Sequence, residues 1–460
     1  MISTVITPAP LNPKLGIGMT VSDLRLFKEV FPFNDVPRIF LSTDDYVRSL
    51  SHLNEIYLTD TTLRDGQQGW RNLTYEESVK VYEVLTELAG DGVITTCEFF
   101  LYTEKDRNVV RTLLNYGYRY PKVIGWIRAS MEDLKLVIEN GLDETVILTS
   151  ISDYHIYFKL GLSRDQAIGK YLRVVEEALS RGIAVKCALE DVTRADLHRN
   201  VLPFIRELLR LREKYSAPIR VKLSDTLGLG LPFPEVPPPR GIPSLIRALI
   251  NEGFPGIDIE FHGHNDFGLV VANHLAAWIY GAGGANCTLL GIGERSGNCP
   301  LEVMLIHYLG LRNDRRVNLR SIRKAVELFK ELGFSIPEFQ PVVGANAFRT
   351  KAGIHVDGLI KNPEVYLPYD SGKLLGIPYT ISITPYSGRS AVAYWINTYF
   401  RLGPNDAFSK DDPLVNAIYL DIQRMFSEGR REELSDNEML LLIRKHAPEL
   451  LNKLPGGLDD

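Results

Sequence analysis

Between Asn54 and Asn313 the chain repeats one rhythm. A short apolar run comes first, a turn follows, and apolar positions then recur three and four residues apart. The short runs are Glu55–Thr59, Thr96–Leu101, Lys122–Ile127, Thr145–Thr149, Ala184–Leu189, Arg220–Leu223, Ile257–Phe261 and Cys287–Leu290. Their length and flanking turn residues predict strands. The segments between them predict amphipathic helices. In Tyr75–Leu88, the apolar Val81, Val84, Leu85 and Leu88 share a face, with Lys80, Glu83 and Glu87 opposite. In Gln166–Ser180, Ile168, Tyr171, Leu172, Val175 and Leu179 do the same. Eight such units in succession predict an α/β protein, a (β/α)8 TIM barrel, by number and by length. A doubly wound open sheet shares the alternation but rarely needs eight units this regular.

Outside that region the rhythm stops, which predicts four parts. Residues 1–53 form an N-terminal arm with Pro-rich turns and a short helix near Val21–Val30. Residues 54–335 form the barrel. Residues 336–400 form a small, mixed, turn-rich lid subdomain, and residues 401–460 a C-terminal subdomain of polar helices. A chain of 460 residues is long enough for two or three units. The composition is 45% hydrophobic and 24% charged, with a net charge of −5. That mild acidity gives no case for nucleic acid or a membrane surface as partner. No apolar stretch approaches the ~20 residues of a membrane span, and Met1–Pro13 lacks the pattern of a signal peptide. Cys97, Cys187, Cys287 and Cys299 form no CxxC pair. Three of them sit in strand-like runs, which reads as reduced core thiols of a cytoplasmic protein.

In a barrel of this kind the chemistry sits where the strands end. The seventh strand leads into His262-Gly263-His264. Alternate strand residues face one side, so both imidazoles can reach one ion. The first strand ends in Asp60-Thr61-Thr62-Leu63-Arg64-Asp65, and the eighth leads to Gly291-Ile292-Gly293-Glu294-Arg295-Ser296-Gly297-Asn298. Asp65, His262, His264 and Asn298 together offer a mixed nitrogen and oxygen set. Such a set suits Mn, Mg, Co or Zn and leaves open positions for a substrate. Each residue also has a plainer reading. Asp65 could be a turn carboxylate paired with Arg64, and Asn298 a helix cap ahead of Pro300. Arg128, His155 and Arg194 stand at further strand ends and make the rim polar and partly cationic. Arg128 reads either as a clamp for a substrate carboxylate or as a salt bridge to a loop acid.

The Asp60–Gln68 block, the His262/His264 pair and Gly293–Asn298 followed by Pro300-Leu301-Glu302 resemble a known family, block by block and in order. It is the family of metal-dependent acyltransferases that includes 2-isopropylmalate, homocitrate and citramalate synthases. The segment Gly353-Ile354-His355-Val356-Asp357-Gly358 resembles a motif in the helical subdomain of those synthases. Within the family, Glu98–Thr103, Gly125–Ala129, Thr149–His155 and Asn298–Glu302 are most similar to the Re-face-stereospecific citrate synthases. The resemblance implies a Claisen-type condensation of acetyl-CoA with a 2-oxo acid, followed by thioester hydrolysis. It implies a divalent metal and a homodimer whose lid covers the partner's barrel. It implies catalytic roles for Arg64, Glu190, His355 and Tyr366, with His355 as general base, and a contact from Thr226 to the acid's carboxylate. His155, Arg128 and Arg194 would join Thr226 in binding substrate. The polar strand ends favour oxaloacetate, hence citrate, over an acid with an apolar side chain. 2-Isopropylmalate, homocitrate and citramalate synthesis are the near alternatives, and a lyase or aldolase of the same superfamily a more distant one. Residues 401–460 are too few for the regulatory domain many 2-isopropylmalate synthases carry.

Overall fold

The computed structural model describes residues 25–42, 50–400, 402–403 and 405–453. The chain divides into two compact units, Arg38–Ser335 and a second made of Met1–Pro37 with Ile336–Asp460.

The first unit is a closed barrel of eight strands: β1 (Tyr57–Asp60), β2 (Ile94–Phe99), β3 (Lys122–Arg128), β4 (Glu144–Ser150), β5 (Ala184–Glu190), β6 (Ile219–Asp225), β7 (Ile259–Gly263) and β8 (Gly284–Cys287). Every neighbouring pair is parallel, and β8 closes on β1. Helices between the strands cover the outside. The helix Tyr75–Leu88 occupies the predicted residues, because Thr74 and Glu77 cap its start reciprocally. The helix predicted from Gln166 begins at Arg164, after the cap residue Ser163.

The predicted eighth strand is displaced. Cys287–Leu290 is apolar, but the strand runs Gly284–Cys287, and Leu290 adopts φ 59° in the turn beyond it. The true strand is small and polar because of what lies inside the barrel. A Cβ on Gly284 would come within 2.9 Å of the Tyr57 ring. Asn286 is fully buried in a hydrogen-bond network described below.

Register lines the interior residues up in rows. Ser150, Glu190, Ser224, His262, Asn286 and Thr59 are partners in turn around the barrel from β4 through β8 to β1. One level nearer the strand starts lie Ala188, Lys222 and Glu260. Buried Lys186 and Glu98 also point inward, so part of the core is ionic. Lys186 Nζ is 2.6 Å from Glu260, and Lys222 contacts Glu98 and lies 3.3 Å from Glu260. Around Ile124, Val146 and Ala188 the interior is apolar.

In the second unit, helices Gly353–Lys361, Arg389–Tyr399, Pro413–Ser427 and Asp436–His446 share one core. Val356, Val392, Ile396, Val415, Ile418, Ile422, Met439 and Ile443 fill it. Residues 336–400 and 405–453 are therefore one packed body rather than two subdomains, because the helices on either side of residue 400 bury their apolar faces on each other. A pair of short strands, Arg349–Thr350 and Thr380–Ile381, completes it. The compact barrel unit begins at Arg38 rather than at residue 54. Of the helix predicted near Val21–Val30, residues 21–24 lie outside the described residues. Residues 28–30 form a turn, with the amides of Val30 and Phe31 bonded to the Phe27 carbonyl.

Candidate metal centre

The turn after β1 is shaped by Asp60. Its carboxylate accepts from the Thr62 amide (2.9 Å) and hydroxyl (2.6 Å). The chain then makes a wide helical turn, with the amides of Asp65 and Gly66 bonded to the Thr61 carbonyl, and this aims Asp65 at the barrel axis. Asp65 Oδ2 lies 3.5 Å from His262 Nε2 and 3.7 Å from His264 Nε2, and accepts from Asn298 Nδ2 at 2.8 Å. All four residues are buried.

Two facts fit this cluster to a divalent ion. The donor atoms of Asp65, His262 and His264 lie within 4.8 Å of one another. Ligands ~2.1 Å from one metal are at most about 4.2 Å apart, so the set closes on an ion with little movement. Asn298 Oδ1 is buried with no protein partner, as a carbonyl kept for a cation would be. Asn298 is not a helix cap, since the next helix starts at Leu301 with Pro300 before it.

The surroundings prepare His262. Its Nδ1 is 2.7 Å from Asn286 Oδ1. The Asn286 amide nitrogen faces Thr59 Oγ1 (2.8 Å) and Glu98 (3.4 Å), and a carboxylate only accepts, so the amide orientation is fixed. His262 Nδ1 must then carry the proton, and Nε2 presents its lone pair to Asp65. Burial drives the His262 pKa well down, which favours the neutral imidazole a metal requires. Burial would raise the Asp65 pKa, but the Arg64 guanidinium 3.3 Å away and the two histidines overcome it and hold it low. Arg64 lies over the Trp126 ring at 4.9 Å and is 3.4 Å from Glu98. Burial opposes ionisation of Glu98 as well, yet Lys222 and Arg64 bring its pKa to about 2.

A second cluster lies in the His262 row, two strands away, ~10 Å at about 4.8 Å per strand. Glu190 takes Lys159 Nζ on both oxygens (2.9 and 2.7 Å), lies 2.9 Å from His155 Nδ1 and is bonded by the Ser150 hydroxyl. Burial pushes its pKa up, but these partners bring it to about 2. Thr226 Oγ1 accepts from the Asp191 amide at 2.9 Å.

Two arginines do not join the clusters with free forks. Arg128 is bidentate to Asp133 (2.9 and 2.8 Å), its side chain 67% exposed, and Asp133 is also held by Tyr102. Of its two readings, the structure has the salt bridge, because Asp133 in the first turn of the following helix offers a ready carboxylate. Arg194 is tied to Asp191 in the same way (Nε to Oδ1, 2.9 Å) and stacks on Tyr154 at 4.2 Å. In the other unit, His355 is exposed on the helix Gly353–Lys361, its ring 4.4 Å from that of Tyr366. Gly358 leaves room for that ring, since a Cβ there would lie 2.6 Å from it.

Residues 55–329 match the HMGL-like family, and residues 342–402 match the homocitrate synthase post-HMGL domain-like family. The citrate (Re)-synthase of Clostridium kluyveri is 42% identical over 94% of this chain and 96% of its own length. The chain belongs to the HMGL-like family. Within it, the post-HMGL match puts it with the acyl-transferring synthases. The 2-phosphinomethylmalate synthase of Streptomyces hygroscopicus is 38% identical over 91% of this chain and 96% of its own length. The crystal structure of hydroxymethylglutaryl-CoA lyase from Pseudomonas aeruginosa superposes with a TM-score of 0.50 at 18% identity, covering 62% of this chain and 95% of that one. That last likeness concerns the barrel fold alone.

Several residues of this HMGL-like site were not singled out from sequence. Asn286 sat outside the predicted eighth strand. Lys159 ends the short helical segment Tyr154–Lys159, just beyond the block that carries His155. Lys222 and Lys186 interrupt apolar strands, and a lysine inside such a run was the available signal of an ionic interior.

Proposed function

We propose that this protein condenses acetyl-CoA with oxaloacetate and hydrolyses the thioester, giving citrate and CoA. The observation that carries the reading is the convergence of Arg64, Asp65, His262, His264 and Asn298 at one mouth of the barrel. The citrate (Re)-synthase relative supports the choice of acid. When bound, a divalent ion of the Mn, Mg, Co or Zn kind would be held by Asp65, His262, His264 and Asn298 and would supply Lewis acidity toward the keto oxygen. Arg64, buried beside them, stabilises negative charge as the carbonyl electron pair moves onto that oxygen. His355, with Tyr366 against it, takes a methyl proton from acetyl-CoA, directly or through water. The methyl carbon bonds to the keto carbon, and the oxygen takes up a proton. Water then cleaves the thioester, leaving a carboxylate and the CoA thiol. Thr226 and His155 hold the acid, and the ionised Glu190 lies where the acetyl group is brought.

A pocket built for a charged group rejects an acid lacking it by about 10⁴-fold, against roughly 10–200-fold for a missing methylene. The ratio of kcat/KM for oxaloacetate and 2-oxoisovalerate, read by CoA release, tests the reading. Preference for 2-oxoisovalerate would return the chain to isopropylmalate chemistry.

We further propose a cytoplasmic homodimer in which the unit bearing His355 serves the partner's barrel. The four cysteines are buried thiols outside any disulfide, which suits a reducing compartment. Mixing His355→Ala with His262→Ala tests the arrangement. Shared sites give mixed dimers one intact centre and restore activity; sites built within one chain stay dead.

A further inference from the structure

We infer that Lys222, buried beneath the metal centre, is a positioning residue: its ammonium anchors Glu98, and Glu98 in turn sets both Arg64 and His262. This rests on the metal-dependent reading above.

The contacts form a continuous chain. Lys222 is 1% exposed and Glu98 is 0% exposed. One Glu98 oxygen takes Lys222 Nζ and the Asn286 amide nitrogen, the latter at 3.4 Å. The other takes the Thr61 hydroxyl at 3.0 Å and Arg64 at 3.4 Å. Thr61 and Arg64 belong to the turn that carries Asp65, and Asn286 fixes the tautomer of His262. A single buried carboxylate thus ties the β1 arm of the site to the β7 arm. Without Lys222, Arg64 is the one cation among the described residues left in ion-pair contact with Glu98. A carboxylate without water draws its remaining partner closer, so Arg64 would shift inward, away from Asp65 and the substrate face.

The competing explanation is a purely structural ion pair, and the fold supplies a control. Lys186 is equally buried and pairs with Glu260 at 2.6 Å; among the described residues it makes no ion pair with Glu98, and it acts on that carboxylate more weakly than Lys222 and Arg64 do. The experiment uses full-length Lys222→Met, Lys186→Met and the double variant Lys222→Met/Glu98→Gln, which removes both members of the Lys222–Glu98 pair and leaves Lys186–Glu260 intact. Binding of Mn²⁺ to metal-stripped protein, kcat, and thermal melting are measured for each. Loss of a residue supporting a metal ligand costs about 10–100-fold in affinity or activity. Lys222→Met should show that loss in Mn²⁺ affinity and in kcat, whereas Lys186→Met should lower the melting temperature and leave Mn²⁺ affinity near wild type. The double variant restores charge balance, so it should regain stability without regaining Mn²⁺ affinity, and it decides the matter if Lys222→Met does not fold. Wild-type Mn²⁺ affinity in Lys222→Met, or in the double variant, overturns the inference while leaving the proposed function standing. Wild-type protein that binds no Mn²⁺ overturns both.

Discussion

The lone pair that His262 offers toward Asp65 through Nε2 is set by Asn286, which bonds the other ring nitrogen. Asn286→Leu would keep the volume and remove the acceptor for Nδ1–H. Metal affinity should fall by about 10–100-fold with little change in fold, as isothermal titration with Mn²⁺ can check. An unchanged affinity would mean that packing alone orients the imidazole. Arg128 makes the opposite case. Its guanidinium is exposed and already bidentate to Asp133. Asp133 is buried but keeps bonds from Tyr102 and Ser130 when the guanidinium is lost, so Arg128→Ala should lower stability and leave the preference for oxaloacetate near wild type. A large loss of that preference would show that Arg128 leaves Asp133 to meet the substrate. The clustering of Asp65, His262, His264 and Asn298 was legible in the sequence because each stands at the end of a strand or in the turn or loop that follows one. The pairing of Arg128 was not, since it depends on a helix whose first turn happens to present an acid.

At the level of elements, the site depends on two loops packed backbone to backbone. A Cβ on Gly69 would lie 2.0 Å from the Gly293 carbonyl oxygen, and one on Gly293 would lie 2.5 Å from Asn298 Nδ2. Gly297 holds φ at +89°, which lets the loop return to Asn298. Gly293→Ala should therefore push Asn298 from Asp65 and weaken Mn²⁺ binding several-fold or more while the barrel still folds. Circular dichroism and metal titration on one sample would show it, and normal metal affinity would contradict it. The hydrophobic pattern found the helices because each buries one face, and the strands because a barrel strand buries both. It misplaced β8 because that strand satisfies the ring of Tyr57 and the imidazole of His262 rather than an apolar neighbour. It divided residues 336–453 at a change of composition, whereas the apolar faces on both sides of residue 400 meet in one core.

For the whole molecule, no helix among the described residues is long and apolar enough to cross a membrane. Of the residues named in the proposed reaction, Arg64, Asp65, His262, His264 and Asn298 belong to the barrel unit, and His355 and Tyr366 to the second unit. The claim that joins them is a condensation that needs a divalent ion at Asp65, His262, His264 and Asn298. The most direct measurement follows citrate and free CoA together, from acetyl-CoA and oxaloacetate, as metal-stripped protein is titrated with Mn²⁺. Equal amounts of the two products are predicted, rising with bound metal and reaching a plateau near one ion per chain, and absent in His262→Ala. Citrate formed at full rate without metal, or CoA released without citrate, would contradict the account.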